Sequence, residues 1–103
     1  MTREDYAAYV AAVAAGCERE GIRLDSLSGY FDDDSGERMR DPYFSWRPCP
    51  ICSRLLGGSR EDQLAVSTNT GLIVALEHVC EDCVYFAAYG RLDDSTMLAV
   101  EAS

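Results

Sequence analysis

At 103 residues, with 48% apolar and 10% aromatic side chains, the chain is long enough for one small globular domain and too apolar to be a disordered segment. Eighteen acidic residues face nine basic residues, all of them arginine, so the net charge is −9. A surface this acidic repels phosphate backbones, which argues against a sequence-independent grip on nucleic acid.

The first residues lack the basic start and the continuous apolar run of a signal peptide. No stretch approaches the roughly 20 apolar residues of a membrane span. We therefore expect a cytoplasmic protein without a membrane segment. A reducing compartment keeps cysteines as thiols, and this favours metal–thiolate chemistry over disulfides.

The first predicted element is an amphipathic helix over about residues 3–20. Thr2 is placed to cap it, and Gly21 occupies the position where a helix commonly ends in a left-handed residue. Apolar side chains recur every three or four positions and define one face: Tyr6, Tyr9, Val10, Val13, Ala14 and Cys17. Because Cys17 lies on this face, we expect a packed free thiol and not a metal ligand.

An acidic segment with two aromatic residues follows the helix. Tyr30 and Phe31 stand directly before Asp32, Asp33 and Asp34. On a loop, such carboxylates steer association toward a cationic site, while the aromatic rings provide a hydrophobic anchor. These five residues are the predicted partner-binding site, for a protein with a basic surface. A solvated acidic loop without a binding role is the alternative.

Three strands are predicted beyond the acidic segment, over residues 41–46, 63–67 and 72–79. A helix is expected over residues 81–89, and residues 92–103 fit either a short docked helix or a frayed end. The predicted fold is therefore α+β, with an N-terminal helix, a small three-stranded antiparallel sheet and a short C-terminal helix.

Two Cys-x-x-Cys pairs carry the most specific signal: Cys49 with Cys52, and Cys80 with Cys83. Four thiolates in two such pairs fit a closed tetrahedral Zn(II) site, since each pair sets two sulfurs on one tight turn. An apolar core of this size is marginal without a staple, so we expect structural zinc to contribute to folding. Disulfides and a redox dithiol are the alternatives.

The predicted zinc site divides a single domain of residues 1–103 into three parts. Residues 1–41 hold the helix and the acidic loop, residues 42–91 form a zinc-ribbon-like core, and residues 92–103 are an acidic tail. His78, the single histidine, precedes Cys80 by two positions, so on a regular strand both side chains would face the metal. His78 is therefore a weaker candidate ligand, and otherwise a neighbour of the site or a surface residue.

No catalytic arrangement emerges from the remaining residues. Four thiolates leave no position on the metal for the water molecule that a catalytic zinc requires. Pro48-Cys49-Pro50-Ile51-Cys52 matches half of the zinc-deaminase signature, but the sequence lacks the upstream His-x-Glu half. We therefore expect a protein that is not an enzyme.

A nucleic-acid-binding alternative rests on residues 47–91, which hold four arginines and five acidic residues: Arg47, Arg54, Arg60 and Arg91, with Glu61, Asp62, Glu77, Glu81 and Asp82. A locally basic face made by Arg47, Arg54 and Arg60 beside Trp46 would contact DNA or RNA. Such arginines more often pair with neighbouring carboxylates.

The segment from Pro42 to Cys52, with Leu56-Gly57-Gly58-Ser59-Arg60 and Val79-Cys80-Glu81-Asp82-Cys83-Val84-Tyr85-Phe86 after it, resembles a group of short zinc-ribbon-like proteins. These proteins are common in phages and mobile elements of GC-rich bacteria. The resemblance covers about residues 42–91 and departs from the usual zinc knuckle at Ser53, where glycine is common. It implies a small zinc-stabilised protein-binding module. The sharper hypothesis is a phage-encoded inhibitor of a host nucleic-acid-binding or defence protein, similar to the anti-CRISPR class.

Overall fold

The computed structural model describes residues 1–29 and 41–103. Its elements in chain order are helix α1 (Arg3–Glu20), a 3-10 turn (Leu24–Ser26), strands β1 (Ser28–Gly29), β2 (Tyr43–Ser45), β3 (Gly58–Val66) and β4 (Ile73–Cys80), and helices α2 (Glu81–Tyr89) and α3 (Asp94–Ala102). The predicted α+β class is confirmed. The described residues form four strands, one more than predicted. Of the two alternatives predicted for residues 92–103, the structure shows the helix, α3.

Helix α1 has the bounds that the sequence predicts. Thr2 Oγ1 accepts a hydrogen bond from Asp5 N–H at 3.1 Å, and the Asp5 carboxylate accepts one from Thr2 N–H at 3.3 Å, which makes a capping box. Gly21, with φ 65°, ends the helix in the left-handed conformation. Within the described ranges, no helix is both long enough and apolar enough to cross a membrane.

The buried face of α1 differs from the predicted apolar stripe. Val13 and Gly16 are buried, whereas Val10 and Ala14 are exposed. The helix is therefore rotated slightly from the predicted orientation, so that Gly16 joins Val13 at the contact with the rest of the protein. This rotation brings the backbone of α1 close to the first cysteine pair.

Strand β3 is the centre of the antiparallel sheet. Strand β4 pairs with it along one edge, while β2 and β1 pair one after the other with the opposite edge. Arg60 of β3 lies between Tyr43 of β2 and Cys80 of β4. Strand β1, which the sequence did not predict, has two residues and is too short to show an alternating pattern.

A β-bulge interrupts β4 near its end. The register shifts between Glu61 and Gln63 of β3, and β4 carries an extra residue opposite this point. His78 lies in the bulge with φ 64°. Because the bulge breaks the side-chain alternation, Leu76 and Val79, three positions apart, are both buried on one face of the sheet.

The core is small, and it contains three of the four paired cysteines. Its buried members are Val13, Ile22, Cys49, Ile51, Ala65, Leu76, Val79, Cys80 and Cys83, with Cys52 packed beside them. These residues come from α1, the loop before β3, the sheet and α2. A metal ion held by the cysteines would therefore lie inside the core and join the loop before β3 to the end of β4 and the first turn of α2.

Candidate metal centre

The first cysteine pair lies on a tight loop between β2 and β3. Ser53 N–H donates to the Cys49 carbonyl at 2.9 Å, and Cys49 N–H donates to the Arg54 carbonyl at 3.3 Å. Ile51 N–H donates to Cys49 Sγ at 3.4 Å. Ser53 has φ 63°, the left-handed conformation that favours glycine and accounts for the glycine of the usual knuckle. The first pair therefore has the predicted tight-turn geometry.

The sequence suggests a separate tight turn for the second cysteine pair. In the structure, this pair lies at the first turn of α2. Cys80 is the N-cap residue and Cys83 follows within the first turn, so the two sulfurs share one face of the helix. The free N–H groups and the dipole at a helix N-terminus favour negatively charged sulfur. This position therefore suits thiolate ligands of a bound cation, although without a cation the neighbouring sulfurs raise the pKa of both Cys80 and Cys83.

The four sulfurs lie together at a spacing that fits one metal ion. Cys49 Sγ is 3.8 Å from Cys83 Sγ, Cys52 Sγ is 3.6 Å from Cys80 Sγ, and all four sulfurs lie within 4.8 Å of one another. Tetrahedral Zn–S bonds of about 2.3 Å would place sulfurs about 3.8 Å apart. All five cysteines are free thiols, so the structure gives no support to the disulfide alternative. Cys49, Cys52, Cys80 and Cys83 can therefore hold a metal ion.

Four thiols this close together cannot all be charged in the absence of a cation. Hydrogen bonds with Cys52, Cys80 and Cys83 hold the pKa of Cys49 far below its ordinary value. Hydrogen bonds shared with Cys49, Cys52 and Cys80 raise the pKa of Cys83. Negative charge therefore collects on Cys49. The pKa of Cys52 is lowered to about 7, because its hydrogen bond with Cys49 raises the pKa but those with Cys80 and Cys83 together lower it more. The raised pKa values of Cys80 and Cys83 keep these two thiols protonated until a cation binds and releases their protons.

Tyr9 of α1 is a contact of this centre that the sequence did not reveal. Its hydroxyl donates to Cys83 Sγ at 3.3 Å, and its ring packs edge-on against Phe86 with centroids 5.6 Å apart. Burial, followed by the charge of Cys83, raises the pKa of Tyr9, so the hydroxyl keeps its proton for this bond. The helical pattern places Tyr9 on an apolar face, but no spacing rule connects it to a cysteine 74 positions away.

Tyr9→Phe is expected to weaken metal retention and leave the fold intact. The substitution removes a hydrogen bond to a ligand sulfur but keeps the ring against Phe86, and such outer contacts typically account for about 10–100-fold in metal affinity. Competition with a chromophoric chelator measures the loss, and Tyr6→Phe on the same helix is the matched control. Equal affinities of the Tyr9 variant and the wild type would show that the hydroxyl does not act on the site.

Helix α1 also braces the first cysteine pair directly. A Cβ atom built on Gly16 would lie 1.7 Å from the Ile51 carbonyl oxygen, so the two backbones approach at a distance that only glycine allows. The Arg19 guanidinium donates to the Pro50 carbonyl at 2.8 Å and to Ser53 Oγ at 3.2 Å. These contacts hold the loop against the helix that carries Tyr9. The sequence signal for Gly16 was an isolated glycine within a helical pattern.

His78 lies outside the group of metal-binding atoms. Its ring packs edge-on against Tyr43 with centroids 5.5 Å apart, and the backbone N–H of His78 donates to Tyr43 Oη at 3.0 Å. The expectation that a regular strand directs His78 and Cys80 to the same side is wrong, because the bulge inserts an extra residue and breaks the alternation.

Cys17 also lies outside the sulfur cluster and is partly buried against the core, as predicted. Burial, with a smaller effect from Cys49, raises the pKa of Cys17, so it stays a neutral thiol. Cys17→Ala is expected to keep the full metal content and to lower the free energy of unfolding by about 1 kcal/mol. Elemental analysis and urea denaturation measure the two quantities. A loss of metal in this variant would identify Cys17 as a ligand.

Arg60, one of the predicted nucleic-acid contacts, is a buried structural residue. It is 1% exposed, and its guanidinium donates to the carbonyl oxygens of Arg47 at 3.2 Å, Leu56 at 2.7 Å and Ser59 at 3.2 Å. The prediction that Arg60 contacts DNA or RNA is therefore wrong, because this side chain is enclosed and bonded to the backbone.

The other members of the predicted basic face are at the surface. Arg54 forms an ion pair with Asp82 of α2 at 2.9 Å, which joins the first cysteine loop to the helix of the second pair. Arg47 is exposed, and Trp46 is 75% exposed. With Arg60 buried and Arg54 paired, these residues do not make the continuous basic face that the alternative requires.

The predicted partner-binding residues Tyr30, Phe31, Asp32, Asp33 and Asp34 lie outside the described residues. Their role in binding a basic partner therefore stays a prediction.

Comparison of the chain with models of protein families, with curated proteins and with solved structures found no match. The resemblance to short zinc-ribbon-like proteins stays a prediction. The metal centre is therefore supported by its own geometry and donor atoms.

Proposed function

We propose that this chain is a small protein-binding module whose fold is held by a structural Zn(II) ion. The observation that carries the proposal is the closed set of four cysteine sulfurs within 4.8 Å of one another. All-sulfur tetrahedral sites suit Zn(II), while harder cations such as Mg²⁺ and Ca²⁺ prefer oxygen ligands. The ion would be bound by Cys49, Cys52, Cys80 and Cys83.

A structural role follows from the donor set. Four thiolates complete the tetrahedral coordination of zinc, so no position is left for a substrate or a reactive water molecule. The ion would supply a crosslink between the loop before β3 and the first turn of α2. We therefore place the function at the surface of the protein and not at the metal.

The charge of the chain supports a protein partner with a basic surface. A net charge of −9 accelerates association with cationic partners and repels nucleic acid. Residues Tyr30 to Asp34, which combine rings and carboxylates, are our candidate for this contact. In the sharper form of the proposal, the chain is a phage-encoded inhibitor that occupies a basic site on a host nucleic-acid-binding or defence protein. The burial of Arg60 makes the nucleic-acid alternative the weaker one.

Affinity capture from a lysate of a GC-rich bacterium, with and without nuclease, tests the proposal. We expect the zinc-loaded chain to retain a basic protein after nuclease treatment. With that protein purified, simultaneous replacement of Asp32, Asp33 and Asp34 by alanine is expected to slow association and to reduce its salt dependence. The matched control neutralises three exposed acidic residues elsewhere: Glu18, Glu77 and Glu101.

Two results would contradict the proposal. Capture that disappears with nuclease would indicate binding through DNA or RNA. Capture of no protein by the zinc-loaded, folded chain would refute a protein-binding role. A third result would affect only one part of the proposal. Equal association rates for the triple aspartate variant and its control would show that the acidic segment is not the contact site, while the protein-binding function would stand.

A further inference from the structure

Strand β2 and the loop of the first cysteine pair that follows it display four large apolar side chains to solvent. Phe44 is 62% exposed, Trp46 75%, Leu55 77% and Leu56 76%. The Phe44 and Trp46 rings meet edge-on with centroids 5.0 Å apart, and the Trp46 ring covers Gly57, where a Cβ atom would lie 2.4 Å from it. Trp46 thus bridges the chain segments before and after the cysteines. We call Phe44, Trp46, Leu55 and Leu56 the knuckle patch.

Arg60 holds the two sides of this patch together. Its guanidinium donates to the carbonyl of Arg47, next to Trp46, and to the carbonyl of Leu56 on the returning segment. Both segments are therefore fixed from below by one buried side chain. A surface that is ordered before binding loses less conformational entropy on association, so it suits recognition better than a mobile loop.

The chain segment that carries the patch has a net charge opposite in sign to that of the rest of the sequence. Residues 44–60 contain Arg47, Arg54 and Arg60 and no acidic residue, so all 18 acidic residues lie elsewhere in the sequence. Arg54 forms an ion pair with Asp82 of α2, and Arg60 is buried beneath the patch, so Arg47, which is exposed at the border, is the arginine of this segment that can pair with a carboxylate of a partner. An occupant of complementary charge would carry carboxylates around an apolar centre.

We propose that the knuckle patch binds a segment of a partner protein in which apolar side chains are flanked by carboxylates. This inference rests on the proposed protein-binding function and adds a second surface to it: the knuckle patch would bind an acidic and apolar segment, whereas residues Tyr30 to Asp34 would face a basic surface. Exposed aromatic anchors surrounded by a charged rim are typical of binding hot spots. Trp46 would be the central anchor, and Arg47 would pair with a carboxylate at the rim.

Other occupants fit the patch less well. Single-stranded nucleic acid stacks its bases on aromatic rings, but Leu55 and Leu56 offer no stacking surface, and the exposed Arg47 alone cannot neutralise a run of phosphates. A second copy of the chain, paired symmetrically through the patch, would place two Arg47 side chains of like charge at one interface. The exposed Arg47 at the border instead favours a partner segment that carries carboxylates.

Selection from a displayed random-peptide library on the zinc-loaded chain tests the inference. We expect recovered peptides to combine apolar residues with aspartate or glutamate. Trp46 is the only tryptophan of the chain, so its fluorescence reports on occupation of the patch. A recovered peptide without tryptophan should shift Trp46 emission to the blue, and its charge-reversed lysine version should not.

Two matched variants test whether the peptide binds at the knuckle patch. Leu56→Ser is expected to weaken peptide affinity by at least about tenfold, as for a hot-spot residue. Leu72→Ser, at a residue 66% exposed beyond the end of β3, is the control and should bind as the wild type does. Zinc content and circular dichroism are measured for both, so a loss of fold is not mistaken for a loss of binding.

Several results would overturn the inference. These are recovery of basic peptides, binding that Leu56→Ser leaves unchanged, and emission shifts with oligothymidine but not with peptide. A blue shift that appears on concentrating the chain alone, with doubled mass in light scattering, would identify the patch as a self-association surface. If the captured partner binds the Leu56→Ser variant and the wild type equally, this inference fails while the proposed protein-binding function stands.

Discussion

Removal of the metal is expected to unfold the chain. Structural zinc binds with about 10–16 kcal/mol in small zinc domains, which equals or exceeds the typical stability of a whole domain. Here the ligand sulfurs belong to the core itself, since Cys49, Cys80 and Cys83 are buried with Ile51 and Val79. Treatment with a strong zinc chelator, and the substitution Cys80→Ser, should each abolish the cooperative unfolding transition measured by circular dichroism.

The comparison with the fifth cysteine makes this prediction specific. Cys17→Ser removes a thiol outside the cluster and should leave one equivalent of zinc and a cooperative transition in place. Elemental analysis of the purified wild type should give one zinc per chain. A well-folded wild type with less than about half an equivalent of metal would contradict the structural role. A Cys80→Ser variant that retains both metal and stability would contradict the assigned ligands.

Gly16→Ala should strongly destabilise the protein, although alanine is the better helix former. Helix propensity alone predicts that this change stabilises α1 by about 1 kcal/mol. The structure predicts the opposite sign, because the new methyl group would lie 1.7 Å from the Ile51 carbonyl oxygen and the backbone of that loop cannot simply rotate away. We expect a loss of about 3 kcal/mol or more in the free energy of unfolding.

Urea denaturation of the zinc-loaded protein measures this loss. Ala15→Gly, on the exposed face of the same helix, is the control that changes helix propensity without a steric clash. It should lower the free energy of unfolding by about 1 kcal/mol. Chelator competition should also show weaker metal binding in Gly16→Ala, since a displaced α1 takes Tyr9 away from Cys83. A Gly16→Ala variant more stable than the wild type would show that α1 does not approach the loop this closely.

The sequence predicts the elements whose signals are local. Thr2 and Gly21 mark the ends of α1, and Gly90 marks the end of α2, because capping depends on a few neighbouring residues. The four metal ligands are equally predictable, since the spacing within each Cys-x-x-Cys pair already constrains two sulfurs.

The remaining features depend on contacts between distant parts of the chain. Tyr9 donates to a sulfur 74 positions away, and Gly16 is required by the backbone of Ile51, so neither role has a local pattern. The bulge at His78 adds one residue to β4 without a glycine to announce it. Arg60 resembles a surface residue in the sequence, and only the folded loop around it shows that it is enclosed.

Arg60 has a consequence for recognising relatives of this chain. A planar guanidinium presents donors in several fixed directions and can span two separate carbonyl groups, whereas the single ammonium of lysine is a point charge that cannot span both. At this position arginine and lysine are therefore not interchangeable. Divergent homologues should retain an arginine between the two cysteine pairs as faithfully as the cysteines themselves, even where the acidic surface and the exposed apolar residues have changed.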